Sequence, residues 1–315
     1  SGAGVDERGT DQMNRMELPL AGVRVVEFCQ VAAGPFCGML LADFGADVIK
    51  VELPGGEMAR RAPPFLPGTD PPVSFMHATV NRNKRSLTLD LRRPAGRDVF
   101  LRLAARSDVV VENFRPGVMT RLGVGYDRLR EVNPRLVYCA ISGFGQTGPD
   151  ANKPAYDQII QGLSGVMDVN GDERLHPLRC GFPVCDTVGG LNAAFAIMGA
   201  LYHRERTGEG QFIDIAMLDS IMPLMGWVAA NLLIGGVPPV PMGNDNFTAA
   251  PSGVFATKDG YINIAANQQE QWESVCDVLG VPALKTDERF QKRDVRKANR
   301  KLLTPLLEEP LRRRP

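Results

Sequence analysis

Apolar residues recur along this chain in two rhythms, short β-branched runs and stretches of helical spacing, and the two alternate. Residues 23–28 (Val-Arg-Val-Val-Glu-Phe) form a β-branched run that stops at the small-residue segment 32–35, the pattern of a buried strand followed by a loop. From Phe36 to Phe44 the apolar positions fall at helical spacing, Gly45 ends the helix, and residues 47–52 open a second strand. Such a βαβ unit implies parallel strands joined by a right-handed crossover. The pattern continues with a strand at 86–91, a helix at 94–105 and strands at 108–112 and 136–142. Alternation of this kind predicts an α/β fold, a doubly wound, mostly parallel sheet of Rossmann-like type, with ligands bound at the carboxyl ends of the strands. The loops 30–35 and 113–117 occupy those positions.

Residues 188–202 are small and apolar and fit a deeply buried helix, after which 207–211 turn the chain into a strand at 212–216. Beyond Gly235 the composition shifts toward proline, glycine and polar residues, with turn signals at Pro238-Pro239 and Lys258-Asp259-Gly260. The expected organisation is a flexible leader over 1–17, a large domain over 18–225, and a linker with a second, smaller α/β domain over 226–315. The leader lacks the cationic, apolar and small-residue order of a secretory signal. The apolar stretches, such as 221–234, are too short or too interrupted to match the about 20 residues a bilayer span needs.

Charge and cysteine usage narrow the function classes. Lysine plus arginine and aspartate plus glutamate both number 36, so nothing points to nucleic acid or an anionic membrane as partner. The six cysteines show no C-x-x-C spacing, as expected of free thiols in a cytoplasmic protein. None of the three histidines (His77, His176, His203) stands at ligand spacing from another or from a cysteine, so no metal site is expected.

One residue suggests covalent chemistry. Asp186 follows an apolar run and precedes Thr187-Val188-Gly189-Gly190 at the opening of the buried helix. A carboxylate in a dry pocket can attack a thioester as a covalent nucleophile, glycines allow a substrate close approach, and helix-start amides can stabilise an oxyanion. The bland alternative is that Asp186 caps the helix, and both roles can coexist. Cys185 beside it reads as an inert packed thiol.

Several motifs then carry a resemblance. They are residues 18–28 (Leu-Pro-Leu-Ala-Gly-Val-Arg-Val-Val-Glu-Phe), Ala33-Gly34-Pro35-Phe36, residues 45–52, Asn81-Arg82-Asn83-Lys84-Arg85-Ser86, residues 111–117 and residues 143–149. Together they resemble the class III CoA-transferases, the CaiB/BaiF-like superfamily of formyl-CoA transferase, carnitine CoA-transferases, succinyl-CoA:glutarate-type transferases and α-methylacyl-CoA racemases, over roughly residues 18–300. The resemblance implies an interlocked homodimer that moves CoA from an acyl-CoA to a small carboxylic acid, with CoA as substrate carrier and no prosthetic group. It makes Asp186 the nucleophile and puts CoA contacts at Gln30, Val31, Ala33, Asn83, Lys84, Asn113, Phe114, Arg121 and Leu122, with Lys84 and Arg121 as cations for the phosphates.

Departures from the family pattern refine this. Ala32 stands where formyl-CoA transferases carry a glutamine, Leu53 where a family arginine meets the phosphates, and 242–247 replaces a glycine-rich lid, all of which argue against formate-oxalate chemistry. Residues 258–261 look like the succinyl-CoA:glutarate branch. Racemases pair their aspartate with a His-Asp dipeptide, and here the pair is Tyr156-Asp157, a phenol whose pKa near 10 makes a poor proton shuttle. Racemase and a CoA-binding protein without turnover remain alternatives. A dinucleotide oxidoreductase would share the sheet, but no G-x-G-x-x-G follows the first strand. The resemblance also implies a C-terminal segment with an Ile-Pro-Cys-Gly-Pro-like turn beyond residue 315, so a truncated C-terminus is expected.

Overall fold

The structure, a computed structural model, describes residues 18–315; the expected leader over 1–17 lies outside the described residues. The chain forms two compact units, one of residues up to Val166 with Cys180–Val237, the other of Met167–Arg179 with Pro238–Pro315. The large unit thus runs on past residue 225, and an excursion near residue 170 belongs to the small one.

In the large unit the alternating pattern becomes β1 (Arg24–Phe28), α1 (Ala33–Asp43), β2 (Asp47–Glu52), α2 (Phe75–Asn81), β3 (Lys84–Thr88), α3 (Pro94–Ala104), β4 (Val109–Glu112), β5 (Val137–Ser142), α4 (Asp157–Leu163), α5 (Val184–Thr207) and β6 (Phe212–Ala216), with shorter helical turns between. The six strands lie in the order β3-β2-β1-β4-β5-β6, and every pair is parallel. This is the doubly wound order expected of strands that alternate with crossover helices.

Parallel strands buried on both faces should be apolar without interruption, and successive residues should enter opposite cores. Val25, Val48, Val109, Val111, Cys139 and Ile141 pack under α1 and α5, while Val26, Phe28, Val51, Val110, Tyr138 and Ala140 pack with Phe100 and Ala104 of α3 on the other face. The 24-residue α5 is long and apolar enough to cross a membrane by length and composition alone, and half of its most apolar stretch is buried within the fold. It ends at Gly208, whose φ of 80° is open to glycine at little cost.

The small unit holds β7 (Ser252–Ala256) and β8 (Tyr261–Ala265), an antiparallel pair, with α6 (Gln269–Leu279) and α7 (Arg300–Leu311). Its own core gathers Phe255, Trp272, Cys276, Phe290, Leu303 and Leu307. The buried Arg296 guanidinium lies 4.8 Å from the Trp272 ring and donates to the carbonyls of Ala250 and Phe290, each at 2.7 Å.

Gly190 lies where α5 packs on α1: a Cβ added there would stand 2.5 Å from the Ala33 carbonyl oxygen, a backbone atom that cannot swing aside. The expected effect of Gly190→Ala is a loss of about 1–3 kcal/mol of stability from forced overpacking, read as a lowered denaturant midpoint. An unchanged midpoint would contradict this packing.

Candidate active site

Strand order reverses between β1 and β4, so the loops leaving these two strands run apart and open a crevice at their carboxyl ends. A cavity of about 230 Å³ lies there. Gln30, Val31 and Ala33 line it from the β1–α1 loop, Asn113 and Phe114 from the end of β4, and Asp186 from the first turn of α5. Six of the ten residues expected at the site are therefore brought together.

The loop is pinned by backbone bonds. The Asn113 side chain spans Gln30, accepting from its N–H and donating to its carbonyl, both at 2.8 Å. Phe114 is held from β4 itself, its N–H donating to the Glu112 carboxylate at 2.7 Å. Burial raises the Glu112 carboxyl to about 7.

Asp186 is not the helix cap. The N-cap position of α5 is Pro183, and Asp186 sits inside the first turn. The capping carboxylate is that of Asp157, buried at the start of α4, whose Oδ1 accepts from the N–H groups of Cys185 (2.8 Å) and Asp186 (3.3 Å) while Oδ2 accepts from Gln161 Nε2 at 2.6 Å. Those helix-start amides are thus engaged, which corrects the expectation that they would face a developing oxyanion. The Asp186 carboxyl is raised to about 7, first by burial and second by the charge of Asp157. A carboxylate so poorly solvated is a stronger nucleophile than one in water.

Four expected CoA contacts do not line the cavity. The Lys84 side chain is buried, with its ammonium 2.6 Å from Glu27 Oε2 and donating to the Pro35 carbonyl at 2.7 Å and to Asn81 Oδ1 at 2.9 Å. That engagement corrects the expectation of a cation open to phosphate, and burial lowers the Lys84 pKa besides. Asn83 donates to Asp43 at 2.9 Å, Arg121 is exposed away from the cavity lining, and Leu122 packs against the α3-side core.

The cations that do line the cavity are Arg115 and Lys153, joined by Met58, Ser142, Gly143, Tyr156 and Met217. Arg115 and Gly143 belong to motifs singled out in the sequence, so the missing signal was which residue of each motif faces inward. Tyr156, in the place of a racemase histidine, is exposed at the cavity. Cys185 is fully buried and its thiol is pushed up to about 12, mainly by burial. His77, unremarkable in the sequence, lies with Glu52 and Glu57 in one group of possible ligand atoms within 4.8 Å of each other. Their oxygens are already taken by Arg60, Lys50, Ser86 and the Val31 amide.

Comparison with known proteins places this geometry. The profile of CoA-transferase family III matches residues 20–315. The succinate–glutarate CoA-transferase of Agrobacterium fabrum is 42% identical over 296 residues, 92% of this chain and 74% of that protein. The succinyl-CoA:glutarate CoA-transferase of Homo sapiens is 39% identical, over 96% of this chain and 68% of its own length. Among solved structures, a CAIB/BAIF family protein from Brucella suis superposes with a TM-score of 0.87 at 42% identity, covering 94% of this chain and 78% of that one.

The electrostatics give a direct test. In protein labelled at its aspartate carboxyl carbons, Asp186 should titrate by NMR with a midpoint near 7, ionised above and neutral below, and Asp157→Asn should move that midpoint down by removing a neighbouring negative charge. The raised value also means that Asp186 destabilises the fold progressively as pH climbs from the ordinary carboxylate range toward 7. A midpoint near 4 in the parent protein would contradict the buried setting.

Proposed function

This chain belongs to CoA-transferase family III, and from that premise we propose that it transfers CoA from an acyl-CoA thioester to a free carboxylic acid through covalent intermediates on Asp186. The observation that carries the reading is a desolvated carboxylate at the wall of a cavity built from the loops at the strand-order reversal. The Asp186 carboxylate attacks the thioester carbonyl and expels CoA thiolate, leaving an aspartyl-acyl anhydride. The thiolate then attacks the aspartyl carbonyl and releases the donor acid as its carboxylate, giving an aspartyl-CoA thioester. The acceptor carboxylate attacks that thioester, thiolate leaves, and its return to the acceptor carbonyl of the second anhydride yields the new acyl-CoA and free Asp186. Each step exchanges one leaving group for one nucleophile, so the cycle needs no net proton and no prosthetic group.

Gln30, Val31, Ala33, Asn113 and Phe114 form the wall for the CoA in this reading, and Arg115 with Lys153 supplies the positive charge nearest to it. Succinate and glutarate, which the names of the relatives carry, are the first acids to try. The cysteine spacing, six residues without a C-x-x-C pair, supports a cytoplasmic setting in this proposal.

A homodimer is part of the proposal. Leu191, Phe195 and Tyr202 on α5 are exposed, Phe195 at 76%, and so are Trp227, Leu233 and Ile234 further along the same unit. So much apolar surface is seldom left to water. Size measurement by light scattering should give twice the chain mass at micromolar concentration, and a monomer there would refute the dimer.

The chemistry is tested with succinyl-CoA as donor and glutarate as acceptor, followed by mass spectrometry. Exchange is expected in the parent protein and a loss of roughly 1,000-fold or more in Asp186→Ala, as for removal of other covalent nucleophiles. Undiminished exchange in Asp186→Ala would remove the nucleophile assignment.

A further inference from the structure

The β1–α1 loop is shaped by charges that lie behind the cavity wall. Val31 adopts φ 64°, a left-handed backbone that a β-branched residue rarely takes. Its amide donates to Glu57 Oε2 at 2.7 Å. The other oxygen of Glu57 meets Lys50 Nζ at 3.0 Å and His77 Nδ1 at 3.3 Å. Lys50 in turn reaches Glu27 at 2.9 Å and the Cys29 carbonyl at 3.2 Å, and Lys84 joins Glu27 to the Pro35 carbonyl. Glu27, Lys50, Glu57 and the Lys84 side chain are all nearly inaccessible to water. The loop is therefore bound at its two ends, Cys29 and Pro35, by lysines, at Gln30 by Asn113, and at its strained centre by Glu57.

We propose that Glu57 is a positioning residue: its buried carboxylate holds Val31 in the left-handed conformation and so presets the β1–α1 loop for the CoA it faces. The inference rests on the CoA-binding reading of the cavity. Without the carboxylate, Val31 relaxes to an ordinary backbone and the wall loses its form before any ligand arrives. Glycine at 31 takes the left-handed conformation at no cost, so it should make the loop less dependent on Glu57. A merely structural Glu57 would show no such dependence on the residue at 31.

The experiment compares the parent with Glu57→Ala, Glu57→Gln, Val31→Gly and the double variant Glu57→Ala/Val31→Gly. Amide exchange over residues 29–35 is measured in ligand-free protein, and CoA affinity by calorimetry. Glu57→Ala should speed exchange at this loop and weaken CoA about tenfold, the scale set by a strained residue left unsupported. Glu57→Gln keeps an oxygen for the Val31 amide but turns its NH2 group toward Lys50, so it removes the ion pair while keeping the loop bond and should show a smaller effect on the loop than Glu57→Ala. Adding Val31→Gly to Glu57→Ala should recover most of the affinity. Unchanged loop exchange in both Glu57 variants, or no recovery by glycine, would overturn the assignment. Parent protein that binds CoA while Glu57→Ala binds it equally well overturns this inference alone; parent protein that does not bind CoA overturns the functional reading with it.

Discussion

The arrangement of the site depends on one carboxylate taking a structural task away from another. The first turn of α5 presents amides with no partner inside the helix, and a buried helix start left that way would be costly. Asp157 meets the need from α4, accepting from the amides of both Cys185 and Asp186. Asp186 is released from capping and its side chain stands at the cavity. Asp157 also acts at a distance, since its charge adds to burial in discouraging ionisation of Asp186. One residue thus settles both where the candidate nucleophile sits and how readily it carries charge.

The second constraint lies beneath the opposite wall. Burying Glu27, Lys50, Glu57 and Lys84 together is expensive in desolvation, and replacing such a group by apolar residues often costs nothing in stability. Its use here is directional. Lys50 ties a carboxylate to the Cys29 carbonyl before the β1–α1 loop and Lys84 ties one to the Pro35 carbonyl in the first turn of α1, so the charges fix a path that apolar side chains could only fill. Removing one member would strand another charge in a dry interior, typically at 3–5 kcal/mol, which couples the loop to the strands behind it.

Much of the large unit was legible because buried parallel strands and crossover helices write their periods directly into the sequence. Strands β1, β2 and β6 coincide with the runs at 23–28, 47–52 and 212–216 within a residue. The strand expected at 86–91 starts at Lys84, because Lys84 and Arg85 are charged and charge hides the start of an edge strand; only the structure shows that Lys84 turns inward to Glu27. The crevice was legible in outline, through the loops after β1 and β4. What could not be read is the destination of charged side chains. Lys84 and Arg115 both lie in motifs that carry the family resemblance, and local pattern cannot tell a cation bound to a distant buried glutamate from one at a cavity. The same holds for Asp157 and Asp186, twenty-nine positions apart and close only after α4 and α5 have packed.

The charge of Asp186 bears finally on the order of events in the proposed reaction. The thioester group itself is uncharged, so the reacting carbonyl of the donor can approach an ionised Asp186 without the repulsion that a second reacting carboxylate would meet. An acceptor acid arrives as a carboxylate, and beside a second ionised carboxylate in a poorly hydrated cavity it would be strongly disfavoured. Asp157 already contributes one negative charge near that point. Conversion of Asp186 to a neutral aspartyl thioester removes the charge on the wall before the acceptor enters, and Arg115 and Lys153 remain as the cations lining the cavity. Covalent attachment would then do more than store the energy of the thioester: it discharges the site for an anionic second substrate, which a direct collision of two acids and one CoA could not do.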